Sequence, residues 1–132
     1  MTTYPLRSTI GIMRKICFYG YGGVEVLQVE EIKTRKLERG EIRIKTEAIG
    51  VNPVDTYFRE GMYKVPRLPW TPGSDFAGVV EEIESKKSDL KEGDRVYGTG
   101  LGKDIDGTYS ESIISPRDNL AILPDPIEFE EG

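Results

Sequence analysis

Turn-forming residues divide this chain into short segments, and their spacing limits the possible folds more than any other feature of the sequence. Fifteen glycines and eight prolines are spread over the 132 residues, which leaves little room for long helices. Most of the intervening segments carry the apolar patterns of strands, at the close spacing typical of hairpins. The sequence therefore predicts a mainly β fold, a small and strongly bent barrel or sandwich of about six or seven strands with one or two short helices.

The predicted strands follow one another along nearly the whole chain. They cover residues 10–19, 24–32, 42–48, 76–83, 94–97, 108–114 and 119–123. The glycine-rich segment at residues 20–23 indicates a hairpin between the first two strands. A change of apolar phase after Val26 predicts a bulge in the second strand. Residues 1–9 are polar, and we expect them to form a disordered lead-in.

The clearest helix signal lies directly after the third strand. Asn52 suits the N-cap, since its side-chain oxygen can accept a backbone N–H of the first turn. Pro53 suits the first helical position, and the negative charge of Asp55 is favourable near the positive end of the helix dipole. Gly61 is placed to end the helix. The sequence therefore predicts a helix of about two turns.

Three side chains on this helix, Val54, Tyr57 and Phe58, follow the i, i+3, i+4 spacing of a single face. Such a stripe usually packs against a core, and we expect this of Val54 and Phe58. Tyr57 differs because its hydroxyl needs a hydrogen-bond partner and its ring suits the wall of a ligand site. Tyr57 is therefore a candidate ligand contact, and Asn52 is either a second one or only a cap.

The loop at residues 62–72 contains three prolines, which argues against a helix or a central strand. Its aromatic residues Tyr63 and Trp70 form either a lid over the barrel or a wall of a substrate site, and the sequence leaves both interpretations open. Ser74 follows in a Pro-Gly turn and can be a turn residue and nothing more.

Composition argues against several classes of function. A net charge of −5 argues against a nucleic-acid partner, since phosphate binding needs a basic patch. The chain has no histidine and only Cys17, so it cannot assemble a Cys/His zinc site or a histidine-assisted nucleophile. No apolar run approaches the length of a membrane span, and residues 1–9 lack the apolar core of a signal peptide. We therefore expect a cytoplasmic protein without a membrane partner.

Two glycine-rich runs, at residues 20–23 and 98–102, are similar in composition to dinucleotide-binding loops. Such a loop binds the pyrophosphate only where a strand leads into a helix, because the helix N-terminus supplies part of the site. Neither run precedes a helical pattern. We therefore expect a hairpin turn at the first run and an ordinary loop at the second.

Four segments in a fixed order form a more specific pattern. They comprise residues 50–57, 61–63, 72–80 and 93–96. Together they resemble the zeta-crystallin-like quinone oxidoreductases of the medium-chain dehydrogenase/reductase superfamily, and the resemblance covers nearly the whole chain. It implies a GroES-like, partly open β-barrel at residues 10–124. Residues 125–132 would begin the connection to a Rossmann domain that is absent from this chain.

The resemblance implies an enzyme that transfers a hydride from NADPH to a quinone. Tyr57 would contact NADPH from the barrel side, and Asn52 would lie beside the nicotinamide end. Tyr63, Trp70 and Ser74 would line the pocket of the acceptor. No residue has a compelling claim to be a general acid. Without the nucleotide-binding half, the chain is expected to be inactive.

The zinc alcohol dehydrogenases of the same superfamily provide a contrast. They place a zinc-binding Cys at the position of Asn52, a zinc-binding His at Ser74 and a proton-relay hydroxyl at Val54. The resemblance therefore implies that this protein binds no zinc.

Two other functions remain open at this point. A sister branch of the superfamily reduces the activated carbon–carbon double bonds of enones and alkenals. A stand-alone GroES-like barrel would instead be a binding module without catalysis. We expect the parent protein to be a homo-oligomer and this chain alone to be a monomer.

Overall fold

The computed structural model describes residues 11–85 and 88–132. The predicted lead-in at residues 1–9 lies outside the described residues. In chain order the strands and the helix are β1 (Ile12–Cys17), β2 (Gln28–Lys33), β3 (Glu41–Ile49), α1 (Pro53–Glu60), β4 (Phe76–Ile83), β5 (Arg95–Gly98), β6 (Ser112–Pro116) and β7 (Leu120–Ile122). Short 3₁₀ turns lie at Val24–Val26, Arg117–Asn119 and Phe129–Glu131.

The strands form two antiparallel sheets that curl toward each other. β1 and β2 make a two-stranded sheet, and the other five strands are arranged in the order β6-β3-β4-β5-β7. Two register shifts between β3 and β4 bend the larger sheet, because each shift increases the local twist. Isolated bridges from Lys15 to Ser110 and from Phe18 to Trp70 connect β1 and its end to the loops of the larger sheet. The result is the predicted partly open barrel.

The larger sheet supplies most of the core. Its inward-facing side chains alternate along each strand, as the two-residue period of a strand requires. The buried apolar cluster consists of Ile42, Ile44, Phe76, Val80, Leu90, Val96, Leu101, Ile113 and Leu120. Burial of each large side chain contributes about 1.5–3 kcal/mol to the free energy of folding, so this cluster is the main apolar source of stability for the sheet.

Two predicted strands begin four residues later in the structure than the sequence indicated. The second begins at Gln28 and not at residue 24, because Val24–Val26 forms a 3₁₀ turn. That turn, and not a bulge, accounts for the change of apolar phase. The strand predicted at residues 108–114 begins only at Ser112. Before it, Tyr109 N–H bonds to the Pro72 carbonyl, and the Tyr109 carbonyl accepts from β1.

Helix α1 begins and ends where the sequence predicted. The Asn52 backbone N–H donates to the Asp55 carboxylate at 2.9 Å. The acidic residue of the first turn therefore provides an acceptor for the backbone N–H of the N-cap residue. At the other end Gly61 has φ of 87° and donates to the Phe58 carbonyl. A residue with a β-carbon is strained at such a φ, which explains the glycine.

A buried hydrogen bond attaches α1 to the segment before β6. The Asp55 carboxyl group is 5% exposed, and the Tyr109 hydroxyl donates to its Oδ2 at 3.2 Å. Burial, and after it the charge and hydrogen bond of Asp55, raise the pKa of Tyr109 from 10.0 to about 12. The neutral phenol is therefore favoured in the folded protein.

The chain segment after β7 packs back on the barrel. The Arg95 guanidinium donates to the carbonyls of Pro124, Asp125 and Ile127. The same guanidinium lies 4.5 Å from the centre of the Phe129 ring. Residues 124–129 are therefore bound to β5 by hydrogen bonds to the backbone, which do not depend on the identity of side chains 124, 125 and 127.

The first prediction concerns the close contact of β3 and β4 at Gly78. A β-carbon there would lie 2.1 Å from the Lys45 carbonyl oxygen and 2.7 Å from Ile44 Cγ2. The Gly78→Ala variant should lower the free energy of unfolding by about 1–3 kcal/mol or more, because the strands must separate. Urea denaturation measures this change. The control is Gly20→Ala, whose β-carbon would have no atom within 4 Å, and equal stability of the two variants would contradict the prediction.

The second prediction is a pH dependence that comes from Tyr109. Because its pKa is raised on folding, its contribution to stability is complete below about pH 10 and is lost as the pH rises through about 12. The Tyr109→Phe variant should lose less stability over this range than the wild type. At neutral pH it should be less stable by about 1 kcal/mol, since Asp55 loses a donor. Urea denaturation at several pH values provides the comparison, with Tyr97→Phe as the control, and parallel pH curves for the wild type and Tyr109→Phe would refute the assignment.

Candidate functional site

Helix α1 forms one side of a cleft of about 560 Å³. The other sides come from the proline-rich loop before Trp70 and from the glycine-rich loop after β5. Apolar side chains dominate its walls, and two lysines and two aspartates also contribute to the lining. The lining includes Val54, Phe58, Tyr63, Ser74, Leu101 and Lys103. A mostly apolar cleft with a few polar groups is the usual form of a small-molecule site.

A chain of hydrogen bonds beside this cleft joins the helix cap to the glycine-rich loop. The Asn52 side-chain amide donates to Asp75 Oδ2 at 2.7 Å. Thr99 Oγ1 donates to the other oxygen of the same carboxylate and lies 3.3 Å from Ser74 Oγ. The Ser74 hydroxyl in turn accepts the Gly100 backbone N–H at 3.2 Å. These contacts fix the positions of two predicted site residues, Asn52 and Ser74.

The Asp75 carboxylate also determines which way the Asn52 amide points. An ionised carboxylate only accepts hydrogen bonds, so the NH₂ group of Asn52 must face Asp75. The amide oxygen is then on the opposite side of the group. The orientation of Asn52 is therefore set by a neighbouring side chain of the protein itself.

An aromatic pair lies at the outer edge of the cleft. Tyr63 is 49% exposed and lines the cleft, while Tyr57 is 38% exposed. The two rings meet edge to face with 6.0 Å between their centres. The ring of Phe58 also contacts Tyr63, with 5.5 Å between the ring centres. Tyr57 does not itself line the cleft but lies against a residue that does. The structure thus brings Tyr57, Tyr63, Asn52 and Ser74 to one region.

Trp70 requires a correction. The family resemblance implied that it lines the acceptor pocket with Tyr63, but the side chain is completely buried. Its indole N–H donates to the Gly102 carbonyl at 3.0 Å, and its backbone exchanges two hydrogen bonds with Phe18. A large apolar ring with one polar atom is well suited to such an interior position. Trp70 therefore anchors the proline-rich loop and does not line the cleft.

Sequence reasoning also missed part of the cleft wall. Val54 and Phe58 were expected in the core, yet they are only half-buried and line the cleft. Leu101 and Lys103 belong to the glycine-rich loop, which was interpreted as an ordinary loop because no helix follows it. The length and glycine content of the loop were visible in the sequence and are typical of functional loops. Nothing in the sequence showed which surface of the barrel the loop covers.

Across residues 11–85 and 88–132, no group of three or more His, Cys, Asp or Glu side chains is arranged to hold a metal ion. Within the same residues, no helix has the length and apolar character needed to cross a membrane.

Comparisons with known proteins agree with this architecture. Residues 38–125 match the alcohol dehydrogenase GroES-like domain. The quinone oxidoreductase of Mus musculus is 38% identical over 123 residues, which are 92% of this chain and 36% of that protein. The quinone oxidoreductase of Pseudomonas aeruginosa is 41% identical over 120 residues, which are 90% of this chain and 36% of that protein.

A solved structure gives the same picture in three dimensions. The Escherichia coli quinone oxidoreductase complexed with NADPH superimposes with a TM-score of 0.80 at 35% identity, covering 89% of this chain and 35% of that one. The chain thus spans 36% of the length of the two sequence relatives. The sequence match, the barrel and the superposition together confirm the resemblance drawn from the motifs: this chain belongs to the alcohol dehydrogenase GroES-like domain family, and it is similar to quinone oxidoreductases.

Proposed function

We propose that this chain provides the acceptor side of the active site of a zinc-independent, NADPH-dependent quinone oxidoreductase. The observation that carries the proposal is the cleft of about 560 Å³ between α1 and the glycine-rich loop, bordered by Tyr63 and Ser74. The names of the sequence relatives support the quinone as acceptor. The NADPH bound to the Escherichia coli structure supports the cofactor.

The residues around the cleft suit the nicotinamide end of the cofactor better than its phosphates. The exposed rings of Tyr57 and Tyr63 suit a planar ring. Pyrophosphate binding calls for a glycine-rich turn between a strand and a helix, and the described residues contain no strand–GxGxxG–helix unit. The proposal therefore assigns most contacts to the phosphates and the adenosine to a separate nucleotide-binding domain.

The protein's own part in the reaction is positioning. When bound, the reduced nicotinamide supplies the hydride, and the protein must hold the acceptor against it in a dry cleft. Val54, Phe58 and Leu101 give the cleft its apolar wall, which excludes water from the acceptor. Ser74 and Asn52 are held by Thr99 and Asp75, so neither side chain has to reorganise when ligands bind.

The proposal that no zinc is needed rests on the chemistry of these donors. Asn52 and Ser74 are neutral side chains that hydrogen-bond to neighbours, whereas zinc prefers thiolate, imidazole and carboxylate ligands. The chain has no histidine, and Cys17 is buried in β1. Quinones accept electrons readily enough to react without a Lewis acid in the acceptor pocket.

The third prediction tests this function directly. The chain is joined through its C-terminus to the nucleotide-binding domain of the Escherichia coli relative, and NADPH oxidation is followed with a quinone, with an enone and with no acceptor. We expect quinone-dependent oxidation that survives EDTA, with much weaker NADPH binding by this chain alone. The nucleotide-binding domain by itself is the control for background oxidation.

Each other result of this experiment contradicts a stated part of the proposal. Oxidation with the enone but not with the quinone would favour a double-bond reductase. Loss of activity in EDTA with recovery in zinc would refute metal independence. A folded fusion that binds NADPH but oxidises it with neither acceptor would favour a binding module.

The fourth prediction concerns Tyr57. In the same fusion, Tyr57→Ala should raise KM for NADPH about 3–10-fold, since an aromatic contact contributes about 0.5–1.5 kcal/mol to binding. The matched control is Tyr19→Ala, because Tyr19 is 51% exposed and lies neither on α1 nor in the cleft lining. Equal kinetic parameters for the wild type and Tyr57→Ala would remove Tyr57 from the cofactor site.

A further inference from the structure

A second cavity, of about 390 Å³, lies between the two-stranded sheet and the larger sheet. Its lining comes from β1, β2, β3 and β6, from the loop at residues 104–107 and from four residues of other loops, Arg35, Arg67, Thr71 and Ser110. It shares Asp104 with the cleft beside α1, and no residue of α1 contributes to it. The cavity is therefore separate from the site proposed above.

Positive charge is concentrated around this cavity. Its lining contains three carboxylates but five cationic side chains, in a chain whose net charge is −5. The cationic residues are Lys15, Lys33, Arg35, Arg43 and Arg67. Two of the carboxylates are already paired within the lining, Glu41 with Arg35 at 2.8 Å and Asp106 with Arg67 at 2.6 Å. Arg43 is paired with Glu82 outside the lining at 3.1 Å. The five cations then face four carboxylates, and this remaining positive charge favours a negatively charged ligand.

Arg43 has an unused donor at this position. The side chain is 2% exposed, its Nε donates to Glu82 and its Nη2 donates to the Arg35 carbonyl. Its third nitrogen, Nη1, is buried and has no hydrogen-bond partner. A buried donor of a charged group that stays unsatisfied is costly, so this nitrogen calls for an acceptor.

Two buried hydroxyl groups of residues in the same lining also lack a hydrogen-bond partner. In residues 11–85 and 88–132, five buried side-chain nitrogen or oxygen atoms have no hydrogen-bond partner. Three of them, Arg43 Nη1, Thr71 Oγ1 and Ser112 Oγ, belong to residues that line this one cavity. Buried polar atoms are nearly always paired in proteins. Their concentration around a single cavity indicates a shared polar ligand.

We propose that this cavity is a binding site for a small oxyanion, a phosphate or carboxylate group, that accepts hydrogen bonds from Arg43, Thr71 and Ser112. A guanidinium is the side chain best matched to the paired oxygens of such groups. The cavity has a volume of about 390 Å³, whereas one water in the liquid occupies about 30 Å³. The cavity is therefore large enough for such a group. The proposal does not depend on the oxidoreductase function, because none of the three residues lines the cleft.

The fifth prediction is that oxyanions stabilise the folded chain specifically. Thermal unfolding is measured in sodium phosphate, sodium acetate and sodium chloride at one ionic strength and pH. Phosphate or acetate should raise Tm with a saturating dependence on concentration that chloride does not reproduce. Isothermal titration of the same anion should give one site per chain. Identical Tm values in the three salts would overturn the proposal and leave ordered water as the occupant.

Variants locate the site. Arg43→Lys keeps the positive charge but removes Nη1, and it should weaken the anion's affinity at least tenfold. Should Arg43→Lys fail to fold, Thr71→Val and Ser112→Ala each remove only a hydroxyl and should weaken affinity severalfold. The matched control is Arg95→Lys, since Arg95 also donates to backbone carbonyls but lies outside the cavity lining. Anion affinity that is unchanged in every lining variant, or that falls equally in Arg95→Lys, would contradict the assignment.

Discussion

The Asp75 carboxylate is the contact on which the arrangement of the site depends. One of its oxygens accepts from the Asn52 side chain and the other from Thr99, while its backbone carbonyl accepts from Gly50. Three segments that are distant in the sequence therefore meet at a single residue: the entry to α1, the start of β4 and the glycine-rich loop. Charge-assisted hydrogen bonds of this kind are stronger than neutral ones, so the walls of the cleft are held in a fixed relation.

Because of this arrangement, the acidic residues beside the cleft hold the structure together, while neighbouring uncharged residues face the cleft. Asp55 and Asp75 are occupied with hydrogen bonds inside the protein. Ser74 and Tyr63 lie on the surface of the cleft. The acidic residues therefore determine the positions of the neutral ones, and a mostly apolar cleft suits an uncharged ligand better than a charged one. The charged side chains of the lining are two lysines and two aspartates, Lys64, Lys103, Asp55 and Asp104, so their charges offset one another.

Local signals in the sequence predicted the local structure well. The cap at Asn52, the proline at 53 and the glycine at 61 predicted α1 with its observed bounds, because capping chemistry acts over only a few residues. The apolar run at residues 76–83 predicted β4 equally well. The sequence also brought Tyr57, Tyr63, Asn52 and Ser74 into one proposed site.

Long-range features could not be predicted in the same way. The burial of Trp70 depends on Phe18 and Gly102, which are 52 and 32 residues away, and no local pattern records such partners. The contribution of Leu101 and Lys103 to the cleft depends on how the glycine-rich loop folds back toward Ser74. Arg43 was not singled out at all, because a single arginine within an alternating strand is ordinarily exposed.

The hydrogen bonds from Arg95 to the backbone of residues 124–127 have a consequence for protein engineering. The last residues leave the barrel in a direction set by β5 and not by their own flexibility. A partner joined after Gly132 would start from a defined point and orientation, so the length and the stiffness of the intervening linker would together decide which faces of the two bodies meet.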